Sequence, residues 1–144
     1  MLYSEFLNRT HVEVTAAEYE VIENMYYAST DDKDTFCAKW CRLNADRVKA
    51  AKAAEKARAE KARKIEKFYA IMDRIEARDP FTRMNTAAVE ILTATQLAYL
   101  KAEGITLEVE TMDYNTGNLY PFKLRASDIA FECRKRVQKL IKAA

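Results

Sequence analysis

Between Lys49 and Lys67 the chain reads KAAKAAEKARAEKARKIEK, and Ile65 is the only large apolar side chain in the run. Alanine, lysine, glutamate and arginine are strong helix formers, so the run is helical. Most helices in folded proteins are held by burying one face, and this one offers almost no face to bury. Winding at 100° per residue brings Val48, Ala51, Ala62, Ile65, Tyr69 and Met72 near one line, but Glu55 and Arg58 interrupt it. A leucine-zipper seam is therefore absent before Ile65. Three roles remain open: a solvated spacer, an arm packed closely through alanine, or a cationic handle for an anionic partner.

The run sits inside a longer helical stretch. Asp31, Asp32 and Asp34 crowd a first helical turn, where carboxylates oppose the positive end of the macrodipole. Nothing then forces a stop before Asp79 and Pro80, which predicts a helical arm over about 31–78, roughly 70 Å long if continuous. A compact chain of this size is only about 40 Å across. Either the arm breaks at Asn44–Asp46, where Asn can end a helix and Asp can start one, or its middle projects. From Ile65 to Ile75 the side chains Phe68, Tyr69, Ile71 and Met72 need cover. A projecting shaft with an apolar far end predicts a homodimer.

Only two Gly and two Pro occur in 144 residues, which favours long helices over many strands. The fold class expected is α+β, mainly α, in a single domain 1–144. VTAAEYEVIENMYYAS opens a helix with Thr15 and Glu18 as a capping box, preceded by a short extended segment over Thr10 to Val14. After Pro80, FTRMN reads as a connector. TAAVEILTATQLAYLKAEG reads as one buried helix capped near Asn85 or Thr86 and closed by Gly104. It opens a helix-hairpin-helix part, about 86–144. ITLEVETM and LYPFKL form the hairpin around DYNTGN, with Pro121 confined to an edge or a bulge. Ser127 and Asp128 cap a C-terminal helix with Ile129, Cys133, Val137, Leu140 and Ile141 on its apolar face.

No apolar run approaches the roughly 20 residues that span a bilayer, and MLYSEFLNRTHVEV has neither a basic nor an apolar leader region. Three cysteines, two of them four apart in a helical pattern, favour reduced thiols and a cytoplasmic location. Chemistry-bearing constellations are absent. His11 has no nucleophile beside it in sequence, and Cys37 with Cys41 lacks the second ligand pair of a zinc site. Asp31, Asp32 and Asp34 lack the Gly and terminal Glu of a calcium loop. Glu108, Glu110 and Lys123 lack nuclease spacing, and two glycines cannot build a phosphate loop. The expectation is no catalytic residue, no metal and no cofactor.

Charge is what remains. Residues 1–35 hold eight acids against Arg9 and Lys33, a balance of −6, while residues 47–67 hold nine bases against three acids, a balance of +6. Lys49, Lys52, Lys56, Arg58, Lys61, Arg63, Lys64 and Lys67 form the candidate partner-binding helix, and Arg134, Lys135 and Arg136 a second basic patch. No aromatic is interleaved between Val48 and Phe68, so base stacking is not indicated. A charge run of this kind is also what a solvated helix face looks like.

The segment EYEVIENMYYASTDDKDTFCAKWC, residues 18–41, resembles small proteins of phages and mobile elements from gut Firmicutes. The shared features are a Tyr-x-x-Ile-Glu pattern, an aromatic pair and an Asp-Lys-Asp-x-Phe-Cys run. The resemblance carries no catalytic residue and implies an accessory or anti-defence factor, such as an anti-CRISPR protein that occupies a host complex. The expected function is a non-enzymatic, phage-type inhibitor of a bacterial defence protein or complex, acting in the host cytoplasm. The alternative is a nucleic-acid-binding accessory protein using the basic helix 47–67.

Overall fold

The structure, a computed structural model, describes residues 1–143. It is mainly helical with one small antiparallel hairpin. In chain order the elements are α1 Tyr3–Thr10, α2 Ala16–Ala28, α3 Lys33–Leu43, α4 Ala45–Glu76, α5 Pro80–Asn85, α6 Ala88–Ile91, α7 Ala94–Ala102, β1 Glu108–Met112, β2 Leu119–Lys123 and α8 Ala126–Lys142. Two compact units divide the chain, Met1–Glu60 and Lys61 onward, and α4 supplies residues to both.

The first unit is built around aromatic packing. Phe6, Val12, Ile22, Phe36, Cys37 and Trp40 are buried together, with Tyr19, Tyr26, Val48 and Ala51 packed against them. Phe6 meets Trp40 edge-on, ring centroids 5.0 Å apart, and Tyr19 at 5.6 Å. Helix α1 stops because His11 takes a left-handed conformation (φ 57°) and donates its N–H to the Leu7 carbonyl at 2.8 Å. Buried Thr10 donates its hydroxyl to the Phe6 carbonyl and accepts the Val12 N–H, which turns Val12 back into the core. Thr15 and Glu18 then form the reciprocal cap of α2, at 3.2 and 3.1 Å. Asp32 caps α3 by accepting the Thr35 N–H at 2.7 Å, and hydrogen bonding from the Thr35 hydroxyl and then from this N–H holds its carboxyl below the usual range.

The second unit packs Phe68, Ile71, Met72 and Ile75 of α4 against Ile91, Leu92, Leu100, Ile105, Ile129 and Cys133. Gly104 (φ 76°) ends α7 as a Schellman cap: its N–H reaches the Lys101 carbonyl and Ile105 N–H the Leu100 carbonyl. The hairpin pairs Glu108 with Lys123 and Met112 with Leu119. Hydrogen bonds from Asp113 to Asn118 and from Leu124 to Leu107 fix the ladder's alternation, so Pro121 occupies a rung where its missing N–H would have pointed outward. The edge position expected for Pro121 is the one it holds.

The stretch 31–78 breaks at Asn44 (φ −120°, ψ 40°), the first of the two alternatives above, and the Asn44 side-chain amide caps the Trp40 carbonyl at 2.9 Å; other expectations need correction. The α4 that follows has 32 residues, about 48 Å at 1.5 Å per residue. FTRMN is helix rather than connector, because Asp79 caps Thr82 and Pro80 takes the first helical position. The single helix expected from Thr86 to Gly104 is two, since Leu92 is extended and Thr93 starts α7 through a reciprocal cap with Gln96. Of the segment Thr10 to Val14, Thr10 instead closes a helix, α1, that the sequence reading omitted, and only the residues after it lie outside helix and strand. Arg125 rather than Ser127 or Asp128 holds the cap position of α8.

Phe6→Ala should destabilise the first unit by about 3–5 kcal/mol, since it empties a fully buried aromatic site. Trp40 is the sole tryptophan, so its fluorescence during urea denaturation reports this unit. A transition within about 0.5 kcal/mol of wild type would show that Phe6 does not organise the core.

Candidate partner-binding surfaces on the basic helix

Every residue from Lys52 to Glu60 is exposed. That stretch of α4 is held by intrinsic propensity and backbone bonds, with no glycine or proline to weaken it. On the side of α4 nearest the first core, Ala51 packs against it while Ala50 and Ala54 line a groove of about 280 Å³ with His11, Glu13, Arg47 and Arg58. Alanine packing therefore accounts for one side of the opening turns, and solvation for the rest.

The eight candidate cations do not act as one group. Lys49, Lys52 and Lys56 fall within about 60° of arc along roughly 10 Å of the first unit's helix. All three are exposed and none has an ion pair or side-chain hydrogen bond among the described residues. Arg58 points to the opposite side, into the groove with His11. In the second unit Lys61 donates to the Ala143 carbonyl, Lys64 pairs with Glu103 at 3.6 Å, and the Lys67 ammonium lies 5.1 Å from the centroid of the Tyr99 ring. Lys64 thus forms a tertiary pair rather than one within α4. Arg63 is exposed and unpaired among the described residues.

The second basic patch is largely committed to its own unit. Arg134 pairs with Glu76 at 3.6 Å, Lys135 pairs with Glu132 at 2.8 Å and stacks over Phe131, and Arg136 is half-buried. Acidic residues of the first unit are similarly occupied: Asp34 by Arg9, Glu5 by Lys33, Asp31 by Lys39 and Glu18 by Arg47.

A feature that sequence reasoning missed lies beside the three lysines. Cys41, Ala45 and Val48 form the apolar floor of an open cleft of about 410 Å³, and Arg42, Lys49 and Lys52 form its rim. The signal was present as the i, i+4, i+7 spacing of the floor residues, hidden because it crosses the break at Asn44.

Groups with reactive chemistry have structural settings. His11 is the left-handed cap of α1 and exposed. Burial pushes the Cys133 thiol up to about 11 and raises those of Cys37 and Cys41, so all three stay protonated at neutral pH. Glu108 faces Lys123 across the hairpin and Glu110 faces Pro121, all exposed. Among the described residues, no group of three or more His, Cys, Asp or Glu is placed to hold a metal ion, and no helix is long and apolar enough to cross a membrane. No protein-family model matches the chain, and no curated protein or solved structure matches it.

His11→Gly should raise stability by about 0.5–1 kcal/mol, because glycine adopts the left-handed cap without the Cβ penalty. A loss of stability measured by urea denaturation would show that the imidazole itself contributes to the fold. The thiols predict alkaline sensitivity. Unfolded cysteine ionises near pH 8.5 while folded Cys133 keeps its proton to about 11, so between those values the unfolded chain binds fewer protons. Stability is unchanged by this group below about pH 8 and falls from there towards 11. Denaturation midpoints between pH 7 and 10 should decline, and less steeply in Cys133→Ala.

Proposed function

We propose that the chain is a non-catalytic binding protein of the phage inhibitor type, which attaches to an acidic surface of a bacterial defence protein or complex, as anti-CRISPR proteins do. The attaching surface is the face of α4 that carries Lys49, Lys52 and Lys56. One observation supports it above others: these cations are exposed and unpaired on one arc, while Lys61, Lys64, Lys67, Arg134 and Lys135 are engaged within their own unit. Protonated thiols, two of them buried, and a histidine used as a helix cap are consistent with action by occupancy rather than turnover. A bacterial cytoplasm is the compartment this reading requires.

A nucleic-acid-binding accessory role is the second reading. The same three lysines favour it, because a row of unpaired cations on one helix face neutralises phosphates as readily as carboxylates.

The experiment is expression of the chain in a bacterium carrying a CRISPR system, with phage plaquing as the readout. Wild type should raise plaquing efficiency and Lys49→Glu/Lys52→Glu/Lys56→Glu should not, while circular dichroism stays unchanged because Lys and Glu have similar helix propensity. Full activity in the folded triple variant would exclude the lysine face. Binding of purified protein to a random-sequence DNA duplex tests the second reading. Three phosphate contacts give a slope of about −2.7 in log K against log salt. That slope together with unchanged plaquing would transfer the conclusion to the accessory role.

A further inference from the structure

The hairpin of the second unit has one closed edge and one open one. Along β2 the outer edge is blunted by Pro121, which has no N–H to offer. Just beyond β2 the same edge is occupied, since Ala88 donates its N–H to the Leu124 carbonyl at 3.0 Å and Ala126 donates to the Thr86 carbonyl at 2.9 Å. Along β1 the ladder's alternation turns the N–H and C=O of Val109 and Thr111 towards β2, and those of Glu108, Glu110 and Met112 away from it. No other backbone group among the described residues pairs with those six, and all three residues are exposed. Their side chains share one face of the strand. Neither Glu108 nor Glu110 has an ion pair among the described residues, although Lys123 stands opposite Glu108 in the ladder.

We propose that β1 receives an extended segment of another protein as a third, antiparallel strand, with basic side chains opposite Glu108 and Glu110 and an apolar one opposite Met112. Two independent observations name this occupant. A row of outward N–H and C=O groups at alternate residues is met rung by rung only by another extended backbone, and strand addition at an open edge draws its affinity from those main-chain bonds. A two-stranded ribbon is also one strand short of the number that is stable alone. The carboxylates then set the sign of the incoming segment, because opposite charges directly across an antiparallel pair stabilise it and like charges destabilise it. A second copy of β1 is the poorer occupant, since it brings Glu108, Glu110 and Asp113 and no base.

This goes beyond the proposed function and does not rest on it. None of Lys49, Lys52 and Lys56 takes part, and strand addition is measurable with no defence complex present. Its failure leaves the plaquing experiment standing.

The test uses the wild-type chain and a capped peptide, Ser-Ile-Thr-Lys-Val-Lys-Ser. Laid antiparallel, its isoleucine falls opposite Met112 and its two lysines opposite Glu110 and Glu108. The readout is exchange of backbone amides with water, followed by NMR. With about 10 mM peptide and a Kd of about 1 mM, the amides of Glu108, Glu110 and Met112 should exchange about tenfold more slowly. Those of Val109 and Thr111 already face β2 and should change little. Two further peptides separate charge from strand. Glutamate at both lysine positions keeps the backbone and reverses the charge, while N-methylation of the lysine opposite Glu110 keeps the charge and removes one strand N–H. Each should leave the three amides within about twofold of the free chain.

Unchanged exchange with the lysine peptide overturns the proposal. Equal slowing by the glutamate peptide would refute the choice of a basic segment, and equal slowing by the N-methylated peptide would refute strand addition. Slowing of the same three amides when the chain alone is concentrated would give the edge to a second copy instead.

Discussion

Helix α4 must stay helical across Lys52 to Glu60 with no side chain of its own in a core, and much of the chain's construction follows from that demand. Helix nucleation is unfavourable, and short helices in water are marginal even with good formers. Here each end of α4 is anchored: Val48 and Ala51 pack on the Phe6–Trp40 cluster, and Phe68, Ile71, Met72 and Ile75 are buried in the second core. Between the anchors the only available stabilisation is propensity, which is why the segment is nearly pure Ala, Lys, Glu and Arg. A single glycine there would cost about 1 kcal/mol with no packing to offset it.

The same constraint governs where charge ends up. Unlike balances of −6 and +6 along the chain suggest two opposed fields, but four of the eight acids are paired with cations of their own unit. Arg9, Lys33 and Lys39 pair with Asp34, Glu5 and Asp31, and among the described residues only Arg47 of the α4 cations in the first unit reaches an acid, Glu18. Exposed pairs of this sort contribute about 0–1 kcal/mol, so leaving Lys49, Lys52 and Lys56 unpaired is nearly neutral for folding. Their arrangement on one arc is therefore free of structural duty, which makes it the part of the surface where recognition can reside.

Local rules with strong chemical signatures were legible in the sequence. Thr15 with Glu18, Asp32, Gly104 and Pro121 each do in the structure what their residue type dictates, and the mainly helical class with one hairpin followed from them. What failed was breaks inside apolar periodicity. Thr93 with Gln96 is the same capping signature as Thr15 with Glu18, yet it lay within a run of hydrophobic residues that read as one helix. Asp79 and Pro80 signalled a helix start as well as a stop, and only the stop was used. Helix α1 escaped because its end is set by a histidine in a left-handed conformation, a position where glycine is the expected mark. In the basic helix, sequence located the cations but could not show which were claimed by tertiary partners such as Glu103 and Tyr99.

The cleft beside the lysines bears on which class of partner suits them. A phosphate backbone satisfies the rim of Arg42, Lys49 and Lys52 but offers nothing to an apolar floor, and no aromatic side chain lines the cleft to stack a base. An amphipathic helix with acidic flanks satisfies both at once, because the floor residues are spaced to receive side chains one turn apart. Burial of apolar area on such a floor contributes about 25 cal/mol per Å² independent of salt, whereas the rim weakens as ions screen it. A protein ligand thus retains part of its affinity at high ionic strength and a nucleic acid loses nearly all of it. The chemistry of the cleft, more than the count of lysines, is what favours a protein partner over a nucleic acid for this face of α4.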